Sequence, residues 1–496
     1  MMTRTQFDQL VAAGYTHIPV FRQQLADTDT PLAVFARLRG QGPAYLFESV
    51  QGGERWGRYS MIGLGQGTIL QYRKGCMQVQ YPDRLESIDC ADPLEFIRQF
   101  QAAFHLPDAT VLPDLPGFSG GLVGYFGYDS IRYIEPRLGD GPSHDPIGLP
   151  DIWLTLSQTV VVFDNLRDTL SLIVHADTRQ PDAYDHAIAA LDRLSEQLAQ
   201  PLQLTAKPHT APDFISCTGE TAFKASVETI QAYIKAGDVM QVVPSQRMTA
   251  VFDGDALSVY RALRHLNPSP YLFLLHGHTI GDTEPFDLVG SSPEILSRLE
   301  NGRVTVRPIA GTRPRGRTPE EDHALEVELL ADSKEIAEHL MLIDLGRNDV
   351  GRVSKIGKVR VTERMSIERY SHVMHIVSNV EGDVCDGLDA IDVFRATFPA
   401  GTLSGAPKIR AMEIIDQLEP VRRGVFGGAV GYLGWHGEMD TAIAIRTGVI
   451  RHGFVHVQAG AGVVADSIPS SEWNETLIKA RAVMRAVELS AQGLSI

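Results

Sequence analysis

The sequence predicts an α+β protein whose sheets are largely antiparallel, and three observations carry that prediction. Short strands return on themselves in adjacent hairpins through the first part of the chain; a glycine-punctuated meander lies near the C-terminus; and helices with one apolar face fall between the strand-rich stretches. Such helices must cover sheet faces that cannot all meet water. With 496 residues, 44% hydrophobic and 21% charged, the composition is globular and long enough for several domains or one large double-layered core.

Taken in order, "TILQYRKGCMQVQY" predicts a hairpin turning at Lys74 and Gly75, and "TVVVFDNLRDTLSLIVHA" a longer one. "PDAYDHAIAALDRLSEQLAQ" has helical spacing that stops at Pro201. The next stretch, "PLQLTAKPHTAPDFISC", has prolines, polar residues and no period, and is read as a linker dividing an N-terminal region, 1–205, from a second region, 206–496. Beyond it, Phe223, Val227, Ile230 and Ile234 mark one face of a helix with Thr218 as N-cap and Gly237 as C-cap. "DVMQVVPSQRMTAVF" predicts one strand, and the segment from "GGAVGYLGW" to "VHVQAG" three more.

The formal net charge of -16 argues against a general nucleic-acid binder, because neutralising phosphates needs a basic face. No window approaches the roughly 18 uninterrupted apolar residues of a membrane span. The N-terminal "MMTRTQFDQLVAAGYTHIPVF" lacks the apolar core of a signal peptide, so the expected location is the cytoplasm. Cys76, Cys90, Cys217 and Cys385 show no metal or disulfide spacing and read as reduced thiols.

Against that acidic background "RPIAGTRPRGR", Arg307 to Arg317, is a local basic device. It lacks the P-loop pattern and has no helix start directly behind it, which disfavours a nucleotide cradle. Arginine forks suit carboxylates as well, and Gly311 and Thr312 can bring backbone N–H groups close to a ligand. Solvated arginines are the plainer reading for Arg315 and Arg317.

Two helices carry acids three residues apart: Glu335 with Glu338, and Glu472 with Glu475. Hard oxygens from separate helices could hold Mg²⁺, which takes few protein carboxylates and uses waters and substrate oxygens for the rest. The helix dipole and a Glu475–Lys479 pair account for the second set equally well. Arg446 lies among alternating apolar residues and so needs an anionic partner, internal or bound. Gly460 and Gly462 offer backbone donors; His372 and His375 lie on a strand; Thr402 and Ser404 sit between glycines and prolines without triad spacing.

Taken together, "SSPE", "PIAGTRPRG", "DSKEIAEHLMLIDLGRND", "RYSHVMH", "PAGTLSGAPK", "GAVGY", "QAGAGVVADS" and "EWNETLIKA" occur in the order found in chorismate-utilising enzymes. The chain resembles that family from about Cys217 to Leu489, and "LFES" and "GRYSMIG" resemble the regulatory region of its tryptophan-pathway branch. The resemblance implies a four-layer α/β/β/α sandwich with the active site between its halves. It implies Glu338 and Glu475 as Mg²⁺ ligands that bring the ion to the ring carboxylate of chorismate. Arg446 with Gly460, Ala461 and Gly462 would hold the enolpyruvyl carboxylate, and Gly311 and Thr312 would line the same pocket.

The implied reaction is that of a lyase. Ammonia adds at C2 as the C4 hydroxyl leaves, and the resulting aminodeoxyisochorismate eliminates pyruvate to give anthranilate, the first step of tryptophan biosynthesis. His375 would assist hydroxyl departure, Thr402 would position the substrate, and Glu294 would handle the C2 proton. Aminodeoxychorismate synthases commonly carry a lysine where this chain has Ala310, and isochorismate and salicylate synthases carry one at what reads here as Gln241; neither amine is present. Phe426 stands where the family often has tyrosine. The resemblance also implies a separate glutamine amidotransferase subunit, two large and two small chains in the assembly, and feedback inhibition by L-tryptophan held by Ser49, Pro270, Tyr271 and Leu272. Leu272 replaces a frequent methionine. The alternatives are an aminodeoxychorismate synthase component and a non-catalytic amino-acid sensor or scaffold.

Overall fold

The structure, a computed structural model, describes residues 2–49, 57–65, 67–108, 110–204, 209–282, 284–370 and 373–494. The expected boundary at 205/206 and His372 lie outside the described residues.

Alternating side chains decide the architecture. In Tyr271–His278, Leu272 and Leu274 point into one apolar cluster while Phe273 and Leu275 point into another; Val161 and Phe163 divide from Val160 and Val162 in the same way. One side packs against helices and the other against a second sheet, so both faces are dry and strands such as Ile152–Ser157 and Thr159–Asp164 are buried along their whole length. Among the described residues one sheet has 11 strands and the other 12, and every pairing between them is antiparallel. Helices Ala183–Leu198, Ala256–Leu266 and Pro469–Ala491 cover the first sheet; Ser333–Gly351 and Ala390–Thr397 cover the second. The result is the four-layer sandwich of helix, sheet, sheet and helix.

Strands from early and late in the chain share both sheets. Leu46 pairs with Leu274 in the first, and Gly124 with Gly431 in the second. The chain therefore crosses between sheets repeatedly. Two crossings matter most: Pro285–Ser292 leads through Pro293 and Glu294 into Ile295–Glu300, and Met439–Ile443 leads through Ala444 to Arg446 into Thr447–Arg451. They run side by side, with Ser291 N donating to Arg446 O at 3.2 Å and Ile443 N to Glu294 O at 3.0 Å.

Local expectations hold in most places. The first hairpin turns at Lys74 and Gly75, both with positive φ (49° and 84°), as a two-residue turn matched to strand twist requires. Three details differ. The strand expected from "DVMQVVPSQRMTAVF" is two, Gln241–Val242 and Ser245–Val251, because Pro244 cannot donate to a ladder. The C-terminal meander has four strands rather than three, since the turn around Arg446 is an inter-sheet crossing. Helix Glu220–Lys235 is capped by Gly219 and not Thr218, because Ser216 Oγ already accepts from both Thr218 N and Gly219 N.

Candidate active site

The basic stretch is an edge strand, Ile309–Pro314, paired with Val373–Asp383. Ala310 faces Ile376 and Thr312 faces His375, so Gly311 is the extra residue of a bulge and takes a φ of +66°, which a side chain would resist. The bulge turns the Gly311 carbonyl toward His375, whose Nδ1 donates to it at 2.9 Å, with Thr312 Oγ1 3.1 Å from the same nitrogen. Since a carbonyl only accepts, the neutral ring keeps its lone pair on Nε2. Burial pushes His375 down to about 4.

Three of the four arginines of this stretch are neutralised, while Arg317 is exposed and bonds Glu321 through its backbone N–H. Arg307 is held by Glu368, Arg313 by Glu328 and Asp332, and Arg315 by Asp322 at 2.7 Å, so Arg315 is not simply solvated. A helix does follow, Pro319–Ala331, but Glu320, Glu321 and Asp322 fill its first turn and would repel a phosphate.

The paired crossings supply two charged groups of opposite kind. Glu294 is buried; burial pushes its carboxyl up to about 7, and Thr402 Oγ1 donates to its Oε1 at 2.8 Å. Arg446 sits at the neighbouring crossing with a φ of 49°. Among the described residues its guanidinium has no hydrogen bond or ion pair, and burial pushes it below the usual arginine range, against the pull of Tyr370 and Glu294. A half-buried cation without a partner is a costly arrangement unless an anion arrives.

The third wall is the glycine-rich turn after Phe454–Gly460. A Cβ on Gly460 would stand 2.8 Å from Pro244 O, and one on Gly462 would stand 2.6 Å from Gln241 Nε2. Ala461 is fully buried. Gln241 in turn donates to Glu338 Oε1 at 3.1 Å, joining this turn to the first acidic helix. Lys479 pairs with Glu475 at 2.7 Å and also donates to Gly460 O at 3.2 Å, tying in the second acidic helix.

Within each of these helices the two acids repel one another. Burial first, then Glu338, raises the Glu335 carboxyl; burial first, with Glu475 adding and Ser467 opposing, raises Glu472. A divalent cation would relieve exactly this kind of strain on paired carboxylates. Among the described residues no three His, Cys, Asp or Glu side chains converge into a closed metal cage; Glu338 accepts from Gln241 and Glu475 pairs with Lys479, and an ion drawing on few protein carboxylates would complete its shell with water and ligand oxygens.

The sequence reading missed Tyr370. Its ring packs edge-on against His375 at 5.5 Å, and its hydroxyl donates to Glu368 at 2.8 Å; only its place beside "SHVMH" hinted at this. Phe426 is buried in the helix-side core, with the Arg423 guanidinium 5.6 Å from its ring centre.

Ser49, Pro270, Tyr271 and Leu272 all border a separate cavity of about 950 Å³ between the sheets, along with Phe118 and Tyr432. Glu48, next to Ser49, is fixed there by Tyr260 and by Arg264 at 3.0 Å. The Leu272 side chain itself lies in the core beneath the helices. No helix among the described residues is long and apolar enough to cross a membrane.

Residues 42–485 match the family described as chorismate binding enzyme. The chain is 68% identical to the anthranilate synthase component 1 of Acinetobacter calcoaceticus over 100% of both chains, and 55% identical to that of Pseudomonas aeruginosa over 99% of this chain and 100% of the other. The crystal structure of anthranilate synthase component I from Streptococcus pneumoniae superposes with a TM-score of 0.76 at 36% identity, covering 93% of this chain and 99% of that one. On a match that spans most of the chain, and relatives alike from end to end, the chain belongs to the chorismate-binding enzymes, in the branch of the anthranilate synthase component 1 proteins.

Proposed function

We propose that this chain converts chorismate and ammonia to anthranilate and pyruvate, with aminodeoxyisochorismate as the intermediate, at the head of tryptophan biosynthesis. The observation that carries the reading is the unpaired Arg446 guanidinium set beside the near-neutral Glu294 carboxyl at the double crossing. Arg446 and the backbone of Gly460, Ala461 and Gly462 take the enolpyruvyl carboxylate. Gly311 and Thr312 close the opposite wall. Glu338 and Glu475 would hold Mg²⁺, which supplies charge neutralisation at the ring carboxylate and a template for the substrate, not a hydroxide nucleophile.

Ammonia forms the bond to C2 while the C4 hydroxyl departs as water with a proton delivered from the His375 Nε2 side. The free ring is neutral at pH 7, so it becomes a donor only when the dianionic substrate raises its basicity. In the second half Glu294 takes the C2 proton as the enolpyruvyl C–O bond breaks, and pyruvate leaves. Thr402 fixes Glu294 through its hydroxyl. Because Ala310 and Gln241 bring no amine, free ammonia is the nucleophile. A glutamine amidotransferase subunit supplies it, in an assembly of two large and two small chains. Ser49, Pro270, Tyr271 and Leu272 form the wall where L-tryptophan binds and inhibits.

Incubation with chorismate, Mg²⁺ and ammonium is expected to yield blue-fluorescent anthranilate and pyruvate in equal amounts. The 4-amino isomer as product, or pyruvate without an aminated ring, would overturn the assignment. A narrower test addresses the metal. Gly462→Ala places a methyl group against the end of the Gln241 side chain, which can move, so folding is little affected; Glu338 loses its hydrogen bond. Apparent Mg²⁺ affinity, read from titration of activity, is expected to fall about 10- to 100-fold. An unchanged Mg²⁺ midpoint would mean that Gln241 does not orient Glu338.

A further inference from the structure

The interior holds a polar cluster that touches both the large cavity and the double crossing. Tyr271 Oη donates to Asp440 Oδ1 at 2.9 Å, Arg298 Nε donates to Asp440 Oδ2 at 2.9 Å, and Arg298 Nη2 lies 3.3 Å from Tyr271 Oη. Arg298 and Asp440 are direct cross-strand partners in the second sheet, whereas Tyr271 opens a strand of the first. The triad is therefore a hydrogen-bonded strut between the two sheets. Its ion pair is mostly buried, with side-chain exposures of 22% and 13%, so its geometry is held tightly and is scarcely screened by salt.

Both ends of the strut lead to the chemistry. The strand carrying Arg298 begins just after Glu294, and the strand carrying Asp440 runs into Arg446. All three triad residues border the cavity of about 950 Å³. Pro270 and Tyr271 also border a second cavity of about 440 Å³, shared with Arg307, Ile309 and Tyr370, on the His375 side.

We propose that Arg298 and Asp440 are positioning residues that make the chorismate site answer to the large cavity. A ligand that shifts the Tyr271 hydroxyl displaces Asp440 and Arg298, and with them the two strands that set Glu294 against Arg446. The proposal rests on the tryptophan reading of the cavity given above. By linkage, whatever L-tryptophan does to chorismate affinity, chorismate does to tryptophan affinity, so a single coupling factor measures the strut.

The test uses the full chain with ammonium as nitrogen source. Chorismate KM is measured with and without L-tryptophan, and tryptophan binding is measured separately by calorimetry. In the unaltered chain the coupling is expected at about 10-fold, within the usual range for allosteric pairs. Asp440→Asn keeps the shape and one acceptor but loses the charge. Its coupling is expected to fall below about 2-fold while tryptophan affinity alone stays within about 3-fold. Arg298→Lys, which keeps the charge, is expected to fall between the two, and it carries the same test if Asp440→Asn shows no cooperative thermal transition. Full coupling in both variants overturns the proposal. Should the unaltered chain not bind tryptophan, the tryptophan reading fails by itself, and the strut is judged on the substrate: Asp440→Asn is then expected to raise chorismate KM about 10-fold with kcat within about 2-fold, and an unchanged KM overturns it.

Discussion

Replacing Arg446 by methionine is expected to cripple the enzyme and stabilise the protein at once. The guanidinium is half-buried without an internal partner among the described residues, so the folded chain holds an unpaired cation for the substrate. Losing a desolvated charge contact to a bound carboxylate costs about 2–5 kcal/mol, or roughly 30- to 5,000-fold in kcat/KM, and most of it should appear in chorismate KM. Replacing buried charge by apolar volume of similar size is commonly neutral or stabilising by about 1–4 kcal/mol. Steady-state kinetics and thermal unfolding of the same preparation read both effects. A variant that loses activity and stability together would make Arg446 a structural residue.

Glu294→Gln is the second large effect. A general acid or base in position contributes about 10²- to 10⁴-fold, so turnover should fall within that range. The limb of the pH profile near 7 that its carboxyl provides should vanish with it. Stability follows the opposite course. The folded carboxyl titrates at about 7, above its ordinary carboxylate value, so the folded state binds this proton more tightly than the unfolded one. That contribution is complete below about pH 4.5 and is lost as pH rises through 7, where ionising the buried group costs about 3 kcal/mol. Relative to the unaltered chain, the variant should gain stability between pH 5 and 8 and gain none below pH 4.5. Denaturant midpoints measured at both ends of that range check the sign. An equal difference at both pH values would remove Glu294 as the near-neutral group.

Much of this was written locally. The hairpin at Lys74 and Gly75 follows from two residues tolerant of positive φ, and the acidic helices declare themselves through Glu335 with Glu338 and Glu472 with Glu475 on single faces. The site itself was not local. Glu294 meets Arg446 only because two inter-sheet crossings lie side by side, and His375 meets Gly311 only through a bulge in register; neither distance is encoded in a period of the sequence. Strands such as "IWLTLS", buried on both faces, show no alternation that would reveal which residue looks toward which layer. The family resemblance supplied the long-range assignments, and the structure supplied what resemblance lacked: the Gln241 link to Glu338, the Tyr370 contact and the Arg298–Asp440 strut.

The interleaving of early and late strands bears on how the molecule is made. Leu46 finds Leu274, and Gly124 finds Gly431, only after the later segments have left the ribosome. Until then the early hairpins present bare edges and dry faces, the features that invite aggregation during synthesis. Contacts this distant in sequence also make for slow folding, since loop-closure entropy is lost before pairing rewards it. The yield of folded chain is therefore expected to respond to translation rate and temperature more sharply than that of a helical protein of equal length.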